Sequence, residues 1–306
     1  MNESCAVMRY EQAAALLPPR LERIALHLAD YRKALAEELR LRVGQPMTVL
    51  LPEGEWMIDA GAGTVRQAEL EQLVDQVTEY SRYAAATMGR GYVTGNGGFR
   101  VGLGGTAVME RGRCIDLRDI SSACVRIARE KTGISDDLMD KIAPDGVPEN
   151  TLIIAPPGAG KTTILRDIIR NLSNGTGKIL PQRVAVVDER SELAAVFHGE
   201  PQLDVGCHTD VIDGCPKAEG IMMMLRSVGP QVIAVDEITA REDIQAMEMA
   251  SRCGVKLLAS IHAADVRELQ EKHLFSTLLA GRVFTCCIVI RRGSDGKRYY
   301  RVEHLC

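Results

Sequence analysis

Long apolar runs and an excess of basic charge are both missing from this 306-residue sequence. Nowhere do eighteen apolar residues stand together, and charges and Pro18-Pro19 interrupt the first twenty residues, so we expect neither a membrane span nor a secretory signal. Lys and Arg number 37 against 41 Asp and Glu, which gives a formal net charge of −4. Dedicated nucleic-acid binders usually carry a basic surface, and 4% aromatic residues leave few rings for stacking bases. We therefore expect no nucleic-acid partner.

Paired-cysteine motifs are also lacking. The nine cysteines include no C-x-x-C pair, and Cys286-Cys287 are neighbours within an apolar run. This pattern favours reduced, mostly buried thiols in a cytoplasmic protein over a zinc site or a disulfide framework. The 46% of hydrophobic residues is enough to bury a core, and the length fits one large domain or two ordinary ones.

The most informative stretch that is present is TLIIAPPGAGKTT, residues 151–163. An apolar, strand-like run is followed by a Pro- and Gly-rich turn and then by a helix-like segment, the order that a phosphate-binding loop requires. The stretch matches G-x-x-x-x-G-K-[ST] except that Ala155 replaces the first Gly. Lys161 is expected to reach the β- and γ-phosphates, and the Thr162 hydroxyl to bind Mg²⁺. The predicted nucleotide-binding residues are Pro157, Gly158, Ala159, Gly160, Lys161, Thr162 and Thr163.

Two acidic residues follow a short apolar run in VIAVDE, residues 232–237. Ligands of open α/β sheets bind at the carboxyl ends of the strands, which is where these acids are expected to lie. Asp236 is predicted to hold Mg²⁺ through water and Glu237 to polarise the attacking water. Together with the phosphate-binding loop, this pair predicts hydrolysis of a nucleoside triphosphate.

Further candidates for chemistry lie at other strand ends. Glu189 and Glu192 follow the apolar run at 184–187; they would face the γ-phosphate if that strand lies next to the phosphate loop, and otherwise form a polar loop with an internal ion pair. His262 follows another strand and is predicted to sense the γ-phosphate. Arg226 is a candidate for neutralising transition-state charge, since an assisting arginine contributes about 10³–10⁵ in rate. The other candidates for that role are Arg90, Arg100 and Arg241.

Two domains are expected. Residues 1–146 predict an α+β domain: helices broken at Pro18-Pro19, two short strands at 38–51, a helix at 67–83, Gly-punctuated hairpins with a turn at 102–105, and a helix at 121–131. The segment 143–149 is the best linker. In residues 147–306, strands and helices alternate, which is typical of a mostly parallel sheet covered by helices, and a final hairpin turns at 294–296.

The motifs APPGAGKTT, VAVVDERSE, VIAVDE and SIHAAD together resemble, in order, the four nucleotide-site motifs of type II/IV secretion ATPases. Additional segments, including GGFRVGLGG and DVIDGCPKAEG, resemble the stage III sporulation protein AA family over nearly the whole chain. The resemblance implies a RecA-like P-loop ATPase core, with ATP and Mg²⁺ as cofactors and a separate α+β N-terminal domain. It also implies a homo-oligomer, a hexameric ring, that docks onto other stage III sporulation channel proteins. The expected location is cytoplasmic, peripheral to the mother-cell face of the forespore membrane.

Three functions remain open from the sequence. The first is an ATP-hydrolysing secretion-type motor that energises or supports a channel between mother cell and forespore. The second is a nucleotide-gated scaffold of that channel with little turnover. The third is a nucleic-acid translocase, which the net charge and low aromatic content disfavour.

Overall fold

A computed structural model describes residues 3–78, 88–89, 91–127, 130–271, 275, 278, 281, 283–293 and 297–305 of the chain. The chain forms two compact units. The first comprises Met1–Glu130 with Ala195–Gln202, and the second comprises Lys131–Ala194 with Leu203–Cys306. A domain boundary after residue 146 stays a prediction. Within the described ranges, no helix has both the length and the apolar character needed to cross a bilayer.

The described part of the first unit combines four α-helices with one antiparallel sheet. The sheet has the strand order β3-β2-β1-β6-β5-β4. Alternate residues of β1, such as Leu39 and Leu41, are fully buried, because successive side chains of a strand point to opposite faces. The elements are α1 (Glu3–Ala14), α2 (Pro19–Leu26), α3 (Asp30–Leu35), β1 (Glu38–Arg42), β2 (Thr48–Leu51), β3 (Gly54–Met57), α4 (Gln67–Thr78), β4 (Tyr92–Gly95), β5 (Phe99–Glu110) and β6 (Arg113–Arg126).

The predicted break at Pro18-Pro19 is confirmed. Helix α1 ends before the two prolines, and α2 begins at Pro19, a position where the missing N–H of proline costs no helical hydrogen bond. Leu21 and Ile24 of α2 are buried in the core, as their helical spacing predicts. Helix α4 ends at Thr78, and residues 79–83 of the predicted helix lie outside the described residues.

Two predictions for the first unit are wrong. The helix predicted at 121–131 is strand through Arg126, because β6 pairs with both β1 and β5 and places Val125 between Leu39 and Val101. The turn predicted at 102–105 lies inside the long strand β5, where the register shifts between Gly104 and Thr106. A Cβ on Gly104 would lie 2.6 Å from the hydroxyl oxygen of Ser122 on the paired strand. Glycine therefore allows close strand pairing and a bulge at this position, and the chain does not reverse direction here.

The second unit confirms the predicted alternation of strands and helices. Its sheet has the order β13-β12-β7-β11-β10-β8-β9, and every neighbouring pair is parallel except β12 with β13. The elements are α5 (Asp136–Ile142), β7 (Thr151–Ala155), α6 (Lys161–Asn174), β8 (Val184–Asp188), β9 (Thr209–Asp213), α7 (Lys217–Ser227), β10 (Val232–Val235), α8 (Arg241–Arg252), β11 (Lys256–His262), α9 (Val266–Glu271), β12 (Cys286–Arg292) and β13 (Arg298–His304).

Burial of the central strands explains why the sequence predicts them. All five residues of β7 and all four of β10 are buried, as expected for parallel strands covered on both faces. Helix α5 and the edge strand β9 were not expected from the sequence. The final antiparallel hairpin is present as β12 and β13, while its predicted turn at 294–296 lies outside the described residues.

Candidate active site

The loop between β7 and α6 has the backbone of an anion-binding turn. Gly158 and Gly160 have φ angles of +72° and +97°, in the left-handed region that side chains strongly disfavour. Pro157 and Gly158 are exposed, whereas Ala159 is buried. Helix α6 begins directly after Gly160. The N–H groups of its first turn have no partner within the helix and point toward the loop.

Lys161 is buried, with 6% exposure, and reaches into the site from the first position of α6. Its Nζ lies 2.6 Å from Nδ1 of His262 and 3.3 Å from the carbonyl oxygen of Ala155. Burial lowers the pKa of Lys161, and the charges of Asp236 and Glu237 act in the opposite direction. The lysine therefore has its charge poorly solvated, in a position where an incoming phosphate would stabilise it.

Glu237 lies at the centre of a chain of polar contacts. One carboxylate oxygen is 3.2 Å from Nε2 of His262, and the other accepts a 2.8 Å hydrogen bond from Arg190. A neutral His262 with its proton on Nε2 satisfies both neighbours, since Nδ1 then accepts from Lys161 and Nε2 donates to Glu237. Glu237 has a φ of +55°, an unusual conformation for a residue with a side chain and one that concentrates at functional sites.

The residues predicted to hold Mg²⁺ are in direct contact. The Thr162 hydroxyl donates a 2.6 Å hydrogen bond to Asp236 Oδ2, and the Ser260 hydroxyl donates to the other carboxylate oxygen. Ser260 Oγ also accepts a 2.9 Å hydrogen bond from the backbone N–H of Glu237, so it fixes the orientation of both acids. A hydroxyl and a carboxylate that face each other fit Mg²⁺, which prefers oxygen ligands and fills its remaining positions with water and phosphate.

The acids that follow β8 line a cleft together with Asp236 and Glu237. Strands β11 and β10 separate β8 from β7, so the condition that β8 lies next to the phosphate loop is not met. Glu189 and Glu192 nevertheless line the same cleft, because the strands are parallel and end at one edge of the sheet. The buried Lys217, at the start of α7, donates a hydrogen bond to Glu189.

Asp188 shapes the loop that carries these acids. Its carboxylate accepts hydrogen bonds from the backbone N–H groups of Glu192, Leu193 and Ala194 at 2.8 to 2.9 Å. Burial raises its pKa to about 6, although these three N–H donors favour the ionised form. The loop conformation therefore depends on one buried carboxyl group.

The candidate arginines are placed differently from the acids. Arg226 is exposed, nine residues beyond Lys217, and therefore about 13 Å away along α7, so the chain does not bring it to the cleft. Arg241 is the first residue of α8, Arg100 belongs to the first unit, and Arg90 lies outside the described residues. Arg190 does contact one of these acids, since it donates a hydrogen bond to Glu237. Any role of Arg226 in hydrolysis stays a prediction.

Three residues of the site were not among the predicted site residues. They are Arg190, Lys217 and Ser260. A signal for Ser260 is present, because it precedes His262 by two residues on the same strand and so shares its face. Lys217 lies in the segment DVIDGCPKAEG, which carries the family resemblance but has no motif chemistry of its own.

Solved structures with the same fold include an ATPase and a pilus retraction motor. The ATPase DotB of Legionella pneumophila superposes with a TM-score of 0.58 at 17% identity, over 92% of this chain and 78% of that chain. The pilus retraction motor PilT, solved with bound ADP, gives a TM-score of 0.61 at 15% identity, over 90% of this chain and 81% of that chain. This likeness confirms the predicted fold class, an α/β RecA-like P-loop core with an α+β N-terminal domain.

Relatives in sequence identify the family. Stage III sporulation protein AA of Bacillus subtilis (strain 168) is 39% identical over 274 residues, which are 89% of this chain and 88% of that protein. The uncharacterized protein ycf45 of Cyanidium caldarium is 31% identical over 180 residues, 56% of this chain and 50% of that protein. Residues 7–300 match the family described as sporulation stage III, protein AA. The chain therefore belongs to the stage III sporulation protein AA family, the one that its motifs resemble.

Proposed function

We propose that this chain hydrolyses ATP with Mg²⁺ at the edge of the second unit's sheet. The observation that carries the proposal is the contact network that joins Lys161, Thr162, Asp236 and Glu237 through His262 and Ser260. In this proposal Lys161 binds phosphate, Thr162 and Asp236 hold Mg²⁺, and Glu237 is the base for water. Mg²⁺, when bound by Thr162 and Asp236, would neutralise charge on the phosphates.

The contacts suggest how the residues would act. A phosphate at the loop would compete with His262 for the Lys161 ammonium, because the ammonium attracts an anionic phosphate oxygen more strongly than it attracts a neutral ring nitrogen. His262 could then turn toward the γ-phosphate, in the sensing role expected from its position at the end of β11. Glu237 would lose one of its two partners and could accept a proton from water. Glu189 and Glu192 would orient that water from the opposite wall of the cleft.

Steady-state phosphate release by the wild type and by Glu237→Gln tests hydrolysis. Since a general base contributes about 10²–10⁴ in rate, we expect release to fall at least a hundredfold in the variant while ATP binding persists. Tight ATP binding with equal, negligible release by both proteins would instead support the nucleotide-gated scaffold. Absence of ATP binding by the wild type would contradict both functions.

The wider proposal is a motor that forms a homo-oligomeric ring, a hexamer, and energises or supports a channel between mother cell and forespore. Family membership and the likeness to secretion and pilus ATPases support it. Its partners would be other stage III sporulation channel proteins, and its place the cytoplasmic, mother-cell face of the forespore membrane. A net charge of −4 argues against a polynucleotide as the transported substrate.

A further inference from the structure

An arginine from the last described strand lies against the phosphate-binding loop. Arg298, the first residue of β13, directs its guanidinium at Gly160: a Cβ on that glycine would lie 3.0 Å from both Cζ and Nε of Arg298 and 3.3 Å from Nη2. The φ of +97° favours glycine at this position, and the guanidinium occupies the space beside it where a Cβ would lie. The sequence gives no hint of this contact, because 137 residues and five strands separate Lys161 from Arg298.

The position of β13 in the sheet indicates which part of a nucleotide Arg298 would meet. Strand β7 has β11 on one side and β12, followed by β13, on the other. His262, at the end of β11, and Glu237, just beyond β10, lie on the first side, where the γ-phosphate and the attacking water belong in the proposed reaction. Arg298 approaches from the second side, away from that position of the γ-phosphate.

The alternation of β13 provides a matched control residue. Tyr300, two residues from Arg298, lies on the face toward α6: burial raises its pKa, and the nearby charges of Arg298 and of Asp167 on α6 act on it in opposite directions. Arg301 lies on the other face, where its Nε is 3.0 Å from a carboxylate oxygen of Glu303. Arg298 and Arg301 thus share a strand and a charge, but only Arg298 approaches the loop.

We propose that Arg298 binds the α- and β-phosphates of the nucleotide from the side opposite His262, so that the C-terminal hairpin contributes directly to the site. The planar guanidinium suits this task, because it presents several N–H donors to phosphate oxygens in a fixed fork. This inference rests on the proposed ATP site. It adds that ADP and ATP both depend on Arg298, whereas a contact to the γ-phosphate would affect ATP alone.

Binding of fluorescent ATP and ADP analogues to four proteins tests the inference: the wild type, Arg298→Ala, Arg298→Lys and Arg301→Ala. Loss of hydrogen bonds to a charged group predicts that Arg298→Ala weakens both nucleotides by about ten- to hundredfold. Arg298→Lys should restore part of the affinity, because it keeps the charge without the fork. Arg301→Ala should bind as the wild type does, and circular dichroism should show the same fold in all four because both side chains are exposed.

The outcomes separate the inference from the function on which it rests. If the wild type binds neither nucleotide, the proposed function fails and the inference fails with it. If the wild type and Arg301→Ala bind normally and Arg298→Ala does too, the ATP site stands and the inference is overturned. A loss confined to ATP would also overturn it, because Arg298 would then contact the γ-phosphate. A drop in affinity for both nucleotides that Lys partly reverses supports it.

Discussion

Lys161 combines burial with a direct contact to the residue predicted to sense the γ-phosphate. Its removal should weaken ATP binding by about ten- to hundredfold, since each hydrogen bond to a charged group contributes about 1.5–3 kcal/mol. Lys161→Ala should nevertheless keep the fold, because the buried charge of Lys161 contributes little to stability when no phosphate is bound. Isothermal titration calorimetry with ATP gives the affinity, and circular dichroism reports the fold.

Lys256→Ala is the matched control for this prediction. Lys256 begins β11 at the opposite end of the sheet from His262, so its removal should leave ATP affinity unchanged. If Lys161→Ala binds ATP as tightly as Lys256→Ala does, Lys161 has no part in phosphate binding.

Asp188 gives the chain a pH dependence with a defined sign. Its pKa is about 6 in the folded chain and about 4 when unfolded, so the folded state binds the extra proton between these values. The stability that this group contributes therefore rises as pH falls from 6 to 4, by about 1.4 kcal/mol per pH unit, and is lost as pH rises through about 6. Asp188→Asn removes this dependence, and it also turns an amide N–H₂ toward backbone N–H groups that need an acceptor.

Urea unfolding from pH 7.5 down to pH 4.5 measures this effect as the difference in free energy of unfolding between wild type and Asp188→Asn. We expect the wild type to be more stable throughout and its advantage to grow below pH 6. Asp210→Asn, which changes an exposed residue of the neighbouring strand β9, should differ from the wild type by no more than about 0.5 kcal/mol at every pH. A constant or shrinking advantage toward low pH would contradict the raised pKa.

At the level of residues, the sequence predicts what a local pattern carries. Lys161 and Thr162 belong to the phosphate-loop motif, and Asp236 follows a run of apolar strand residues, so their position at one sheet edge was expected. Ser260 shares the strand face of His262, but nothing local to Ser260 or Lys217 predicts the partner of either residue. Their roles depend on which distant residue the folded sheet brings to them, and a hydrogen bond across two strands has no counterpart in sequence spacing.

Among the elements, β6 offers a direct test of the corrected helix prediction. Val125 is fully buried and paired with Leu39 and Val101 on the neighbouring strands. Val125→Ala should lower the free energy of unfolding by about 2 kcal/mol, because it removes two buried methyl groups and leaves a cavity. In a surface helix the same change would be neutral or stabilising, since alanine is the better helix former. Urea unfolding followed by the fluorescence of Trp56, which lies in the same sheet, measures the difference.

Ile115→Ala is the control on the same strand. Ile115 is 46% exposed, so its truncation should cost less than about 0.5 kcal/mol. Equal costs for the two variants would show that Val125 does not pack in the core as described.

The errors in element prediction have a physical source. Val125 and Ile127 are two residues apart, a spacing that fits a strand, but charged Arg126 and the surrounding Ala and Ser residues fit a helix equally well. Pairing with β1 and β5 makes this segment a strand, and such pairing is a long-range effect. The local pattern of glycines at 102–105 likewise predicts a turn, although these glycines are needed for close pairing with β6.

At the scale of the whole molecule, alternation of strands and helices predicts the parallel sheet, but not the order of its strands. That order decides how the site is built: β11 and β10 lie between the phosphate loop and the acids after β8, so His262, Asp236 and Glu237 are closer to the loop in the sheet than Glu189 is. Residues near in space here come from strands far apart in sequence. Only the folded structure shows which acidic residue contacts which basic residue.

The proposed hexameric ring can be tested through the same site. Glu237→Gln should hold ATP without hydrolysing it, so with ATP and Mg²⁺ native mass spectrometry should detect particles of six chains. Lys161→Ala, which we expect to bind ATP poorly, should give the same particle mass with and without nucleotide. A single-chain mass for the wild type and for Glu237→Gln under every condition would contradict the ring. If six-chain particles form but the wild type releases no phosphate, the ring is a nucleotide-gated scaffold, because assembly then depends on binding ATP and not on its turnover.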